Sequence, residues 1–125
     1  MRRRGPPPAE VRLRSDIWVA AYLRRRNADG SVAVLRRRGA AEAGAIFVKI
    51  DRLDGRVALY GPAPQSLAAD LPPGVDRLFS RMHESEWIDP ADADARLQRE
   101  ARFDSDLWIV EVEDRSGEPR IDLAR

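Results

Sequence analysis

The chain offers few side chains able to do chemistry. His83 is its one histidine and Lys49 its one lysine, and cysteine is absent. A thiol nucleophile, a disulfide scaffold, a Cys-based zinc site and an iron–sulfur cluster are therefore excluded. His83 is a general-base candidate beside Glu84 and Glu86, with Trp87 to wall a pocket. General-base catalysis needs an orienting acid and a substrate proton within reach, and sequence adjacency supplies neither. The plainer reading is a surface histidine among solvated acids.

Glu111 and Glu113 alternate along an apolar segment, so they share one strand face. With His83, Asp104 or Asp106 they are candidates for a hard cation. The same alternation is also the expected wet face of an antiparallel sheet, where acids pair with Arg or Lys across the ladder. That reading is preferred, and no metal is expected. Lys49 shares a face with Phe47 and Asp51. As a nucleophile it would need a buried, perturbed amine. As a structural cation it would pair across the sheet with Glu111 or Glu113. Gly39 and Gly44 bracket A-A-E-A, but no Gly-Lys-Ser/Thr follows, so a phosphate-cradling loop is rejected.

Arginines form three triplets, Arg2–Arg4, Arg24–Arg26 and Arg36–Arg38. Residues 1–40 hold 11 arginines against Glu10, Asp16 and Asp29, a balance of +8, and the rest of the chain carries −7, giving +1 overall. Such asymmetry can mark a nucleic-acid surface. However, 21 of the 22 basic residues are arginine, the bias of a GC-rich genome. Arg24, Arg25 and Arg26 also fan out by about 100° each around a helix, at a C-terminus where cations suit the dipole. No aromatic residue is interleaved with either cluster, so stacking on single strands is not indicated. Arg24, Arg25, Arg26, Arg36, Arg37 and Arg38 stand as phosphate-binding candidates, with nucleic acid a possible but not favoured partner.

The elements that must position these groups follow from periodicity. Residues 1–10 read as a disordered Arg/Pro tail, and residues 11–125 as a single domain. Ser15 is the expected N-cap of a first helix reaching Asn27, with Asp16 in its first turn. Ile17 to Leu23 leave that helix apolar all round, which predicts deep burial. Strands are expected at Ser31–Arg37, Gly44–Asp51 and Arg56–Gly61, with Asp54-Gly55 marking a tight hairpin and the three forming an antiparallel meander. Pro62 to Gly74 is a long Pro-rich connection. Val75–Glu84 reads as a further strand. Asp89-Pro90 starts a second helix to Arg102, with Ala93, Leu97 and Ala101 as its apolar stripe and Asp92–Arg96 as an i,i+4 pair. Leu107–Asp114 is the clearest strand, and Ile121 and Leu123 are a short returning edge. The order is α-β-β-β-(β)-α-β-(β), an α+β fold with a mostly antiparallel sheet of four to six strands and its two helices mainly on one face.

Four blocks, Arg12–Arg25, Ala43–Lys49 (A-G-A-I-F-V-K), Leu59–Pro64 (L-Y-G-P-A-P) and Arg102–Arg115 (R-F-D-S-D-L-W-I-V-E-V-E-D-R), resemble a family of small bacterial proteins filed as a domain of unknown function. The likeness spans about Leu13 to Arg115 and implies no activity.

The expected function is a non-enzymatic binding or protein-interaction module in the cytoplasm, without a cofactor. Its partner is a protein or a second copy, through a face carrying Phe47, Leu107 and Ile109. The alternatives are a small metal-dependent or hydrolase-like enzyme using His83, Lys49, Glu111 or Glu113, and a nucleic-acid-binding protein. No apolar run approaches a membrane span.

Overall fold

A computed structural model describes residues 12–64, 71 and 73–124. The Arg/Pro tail and the middle of the Pro-rich connection lie outside the described residues. Two helices, α1 (Ser15–Ala28) and α2 (Pro90–Phe103), accompany five strands: β1 (Val32–Arg37), β2 (Ile46–Asp51), β3 (Val57–Pro62), β4 (Phe79–Arg81) and β5 (Trp108–Glu113). The domain is α+β with a mixed, mostly antiparallel sheet.

Strand order is β1-β5-β2-β3-β4. The expected three-strand meander is therefore corrected. β2 and β3 do pair as an antiparallel hairpin, but β5 inserts between β1 and β2, antiparallel to the first and parallel to the second. Five residues link β2 to β3, more than a tight turn. Leu53 and Gly55 take positive φ there, and the Asp51 and Asp54 carboxylates accept the Leu53 and Arg56 N–H groups. The strand expected over Val75–Glu84 is real but only three residues long. The returning edge reduces to Leu123, bridged in parallel to Phe79.

The helices lie on opposite faces, not on one. Trp108, Val110 and Val112 of β5, with Val48 and Ile50 of β2, meet Val19 and Tyr22 of α1. Phe47, Leu59 and Leu107 point the other way and meet Ala93 and Leu97 of α2. A sheet apolar on both sides needs a cover on both, which explains the split. On that face α2 buries Phe47 and Leu107, while Ile109 stays partly exposed.

α1 is not buried all round. Its buried positions are Ser15, Val19, Tyr22 and Arg26, one stripe at helical spacing, while Ile17 stays 49% exposed. A helix lying as the outer layer on a sheet buries only that stripe, however apolar its other residues are. Ser15 is the first helical residue rather than the cap. The carbonyls of Glu42 and Ala41 accept the N–H groups of Ser15 and Asp16, so backbone closes this helix end, and the Ser15 hydroxyl is free to donate to Gly44 O at 2.7 Å. Asp89 likewise precedes Pro90 of α2 without a side-chain cap bond.

The loop between β1 and β2 passes tightly over the start of β5. A Cβ on Gly39 or Gly44 would overlap the Asp106 carbonyl. These glycines serve close backbone approach, and Ala40 N–H donates to that same carbonyl at 2.8 Å.

Candidate functional site

Lys49 and Glu111 are direct neighbours in the parallel β2–β5 register, so their side chains leave the same sheet face. α2 covers that face only in part. Between α2 and the β1–β5–β2 side of the sheet an open groove of about 470 Å³ remains, with Lys49, Glu111 and Asp94 among its lining. The Lys49 ammonium lies 3.0 Å from Asp94 and 3.7 Å from Glu111. Glu111 in turn accepts from Arg36 Nε at 2.7 Å. The cross-sheet pairing expected for Lys49 is present with Glu111. Glu113, at the strand end, makes no ion pair among the described residues and acts on Arg36 only through its charge. Asp94, one position past the helix's apolar stripe, was not singled out by sequence reasoning.

An irregularity in β1 shapes the groove wall. The β1–β5 register shifts between Leu35, opposite Val110, and Arg37, opposite Ile109. In a regular strand adjacent residues face opposite sides, whereas a bulge lets two neighbours share one. Arg36 and Arg37 accordingly both line the groove. Arg36 is held ionised by its hydrogen bond to Glu111, which raises its pKa further. Arg37 donates to the Ser105 carbonyl at 3.0 Å, and its Nε is buried with no acceptor among the described residues. Leu97, Ala101 and Ile109 give the groove an apolar floor. No residue pattern signals a bulge here, so sequence reasoning missed this convergence.

The remaining candidates lie apart. The His83 ring is engaged at both nitrogens: Nε2 accepts the Leu59 N–H at 3.0 Å and Nδ1 donates to Ser85 O at 2.7 Å. Desolvation, reinforced by Arg81 and Arg96, lowers its pKa against the opposing hydrogen bond to Ser85. A neutral ring with both nitrogens bonded pins the segment after β4 to β3. Among the described residues no three His, Asp or Glu side chains gather to hold a metal ion.

The triplets Arg24–Arg26 and Arg36–Arg38 do not merge, and Arg2–Arg4 lies outside the described residues. Arg24 and Arg25 are exposed on α1, across the sheet from the groove. Arg26 is fully buried. Its guanidinium donates to the Glu118 and Pro119 carbonyls at 2.7 and 2.9 Å and to Asp114, and the Tyr22 hydroxyl also donates to Pro119 O. Arg26 therefore tethers the turn after β5 to α1 and is closed to any phosphate. Arg38 lies over the Trp108 ring, 5.5 Å from its centroid.

A five-stranded mixed sheet between two helices, with a charged groove beside α2, defines a small α+β domain. The chain belongs to the DUF1491 family, proteins of unknown function, whose model matches residues 13–122. It is similar to a DUF1491 family protein from Caulobacter crescentus CB15, whose crystal structure shares 34% identity at a TM-score of 0.72 over 90% of this chain and 98% of that one. An NMR structure of a DUF1491 family protein from the same organism gives 35% and 0.71 over 90% and 97% of the two chains. The solution structure of protein Atu0922 from A. tumefaciens is 45% identical, with a TM-score of 0.67, over 82% of this chain and 86% of that one. A comparison with curated proteins found no match. No helix among the described residues is long and apolar enough to cross a membrane.

Proposed function

We propose that this is a non-enzymatic binding module of the bacterial cytoplasm and that the groove beside α2 is its recognition site. One observation carries the reading: Lys49, only 8% exposed, is held at the groove between two carboxylates while Arg36 and Arg37 converge on the same space. An ammonium tied into such ion pairs is in the opposite setting from the isolated, desolvated amine that attacks carbonyls. Concave sites with an apolar floor and a few convergent polar groups are where small ligands bind. The relatives' bacterial sources support the assignment to bacteria.

The test is an NMR screen of the ¹⁵N-labelled protein against a library of small polar fragments. Shifts gathered on the amides of Arg36, Arg37, Leu97 and Ile109 are expected. Hits gathered only on the α1 face would end the assignment of this groove.

Self-association is a second reading, favoured by β1 lying at the sheet edge with Val32 and Val34 exposed. Light scattering at rising concentration checks it, and a constant monomer mass removes it.

A further inference from the structure

Resting on the groove as recognition site, we infer that its ligand is a small molecule carrying a single carboxylate on an apolar body. The ion pairs in the groove leave its cations unequal. Lys49 is committed to Asp94 and Glu111, and Arg36 to Glu111 through Nε. Arg37 has no carboxylate partner among the described residues, and its Nε is a buried donor without an acceptor. The Nε is closed to solvent, so an incoming acceptor meets the outer guanidinium nitrogens, whose one partner among the described residues is the Ser105 carbonyl at Nη2, and a charge-assisted bond there is worth more than a neutral one. The bulge sets Arg37 beside Arg36, whose side chain remains largely exposed beyond its one bond to Glu111. Two adjacent guanidinium forks suit the planar, two-oxygen geometry of a carboxylate.

Charge selects against a more highly charged anion. Glu111 and Asp94 line the same groove and repel a phosphate dianion, while only one guanidinium lacks a counter-charge. Leu97, Ala101 and Ile109 fit the apolar remainder of the ligand, and a volume of about 470 Å³ lies within the range for small-molecule sites.

Two isosteric probes decide the matter, 4-methylpentanoate and its neutral amide, titrated separately into the full chain at pH 7 with amide shifts as readout. Inorganic phosphate is a third arm. The acid is expected to bind about tenfold tighter than the amide, the worth of one charge-assisted hydrogen bond, with shifts centred on Arg36 and Arg37. Arg37→Gln is expected to abolish that preference while leaving the weak amide binding in place. Should Arg37→Gln lose its native spectrum, Arg37→Lys, which keeps the charge and loses the fork, is expected to reduce the preference. Equal binding of acid and amide in the groove would overturn the carboxylate assignment and leave the groove reading standing, as would tighter binding of phosphate. If neither organic probe moves the groove amides, the ligand assignment falls, and the fragment screen alone then decides the groove.

Discussion

His83 Nε2 accepts the backbone N–H of Leu59 at 3.0 Å, so the chain's one imidazole is spent on holding two segments together rather than on a substrate. Protonation at Nε2 would replace that acceptor with a donor. Burial holds the folded pKa below the ordinary 6.5, so in the acid window the unfolded chain binds the extra proton. The contribution of His83 is therefore full above about pH 6.5 and is lost as pH falls through the lower folded value. Urea titrations across this range are expected to show stability rising with pH. His83→Gln, whose side-chain oxygen can still accept from Leu59, is expected to flatten that slope.

Arg26 is charged yet fully buried. Arg26→Met is expected to lower stability by about 3 kcal/mol or more, because it takes the buried cation from Asp114 and the donor from the Glu118 carbonyl at once, leaving Pro119 O to the Tyr22 hydroxyl. Denaturant unfolding measures this. Arg24→Met, on the exposed side of the same helix turn, is expected to change stability by less than about 0.5 kcal/mol.

Gly39→Ala is expected to destabilise by about 1–3 kcal/mol, since its methyl would enter the space of the Asp106 and Leu107 backbone. Gly30→Ala is the control of opposite kind. There is open space around Gly30, and only its φ of +96° resists the change. Thermal melts of both separate crowding from backbone strain.

Lys49→Met leaves Glu111, 7% exposed, with Arg36 as its one remaining cation. A loss of about 1–3 kcal/mol is expected. The double variant Lys49→Met with Glu111→Leu is expected to recover most of it, because a buried ion pair replaced as a unit costs far less than one broken. Absence of recovery would show that Lys49 works through Asp94 instead.

Local pattern made most elements legible. The hairpin of β2 and β3, the stripe of α2 and the strand around Val110 all follow from periodicity and turn residues. Neighbour choice did not follow, since β1 carries the same alternation whether it pairs with β2 or β5. The segments Ser15–Val19 and Ser105–Ile109 make the point sharply. Both read S-D-apolar-W-apolar, yet the first is helix and the second enters a strand. Contacts far along the chain chose between them. In the groove, Lys49 and Glu111 were readable from their shared sheet faces. Arg36 and Arg37 were readable as an anion-binding pair but not as neighbours of Lys49 and Glu111, because the shift of register that unites them depends on how β1 meets β5. Arg26 looked like an ordinary cation at a helix end, and only the turn folding back from Asp114 to Pro119 encloses it.

Because β5 follows α2 in the chain yet is the strand partner of β1, the sheet cannot close until β5 has been made. A ribosome-bound intermediate ending at α2 holds the β2–β3 hairpin with its middle neighbour missing and β1 unattached. Addition of Trp108–Glu113 is then the event that commits the whole domain, and folding is expected as one late step rather than a gradual accretion.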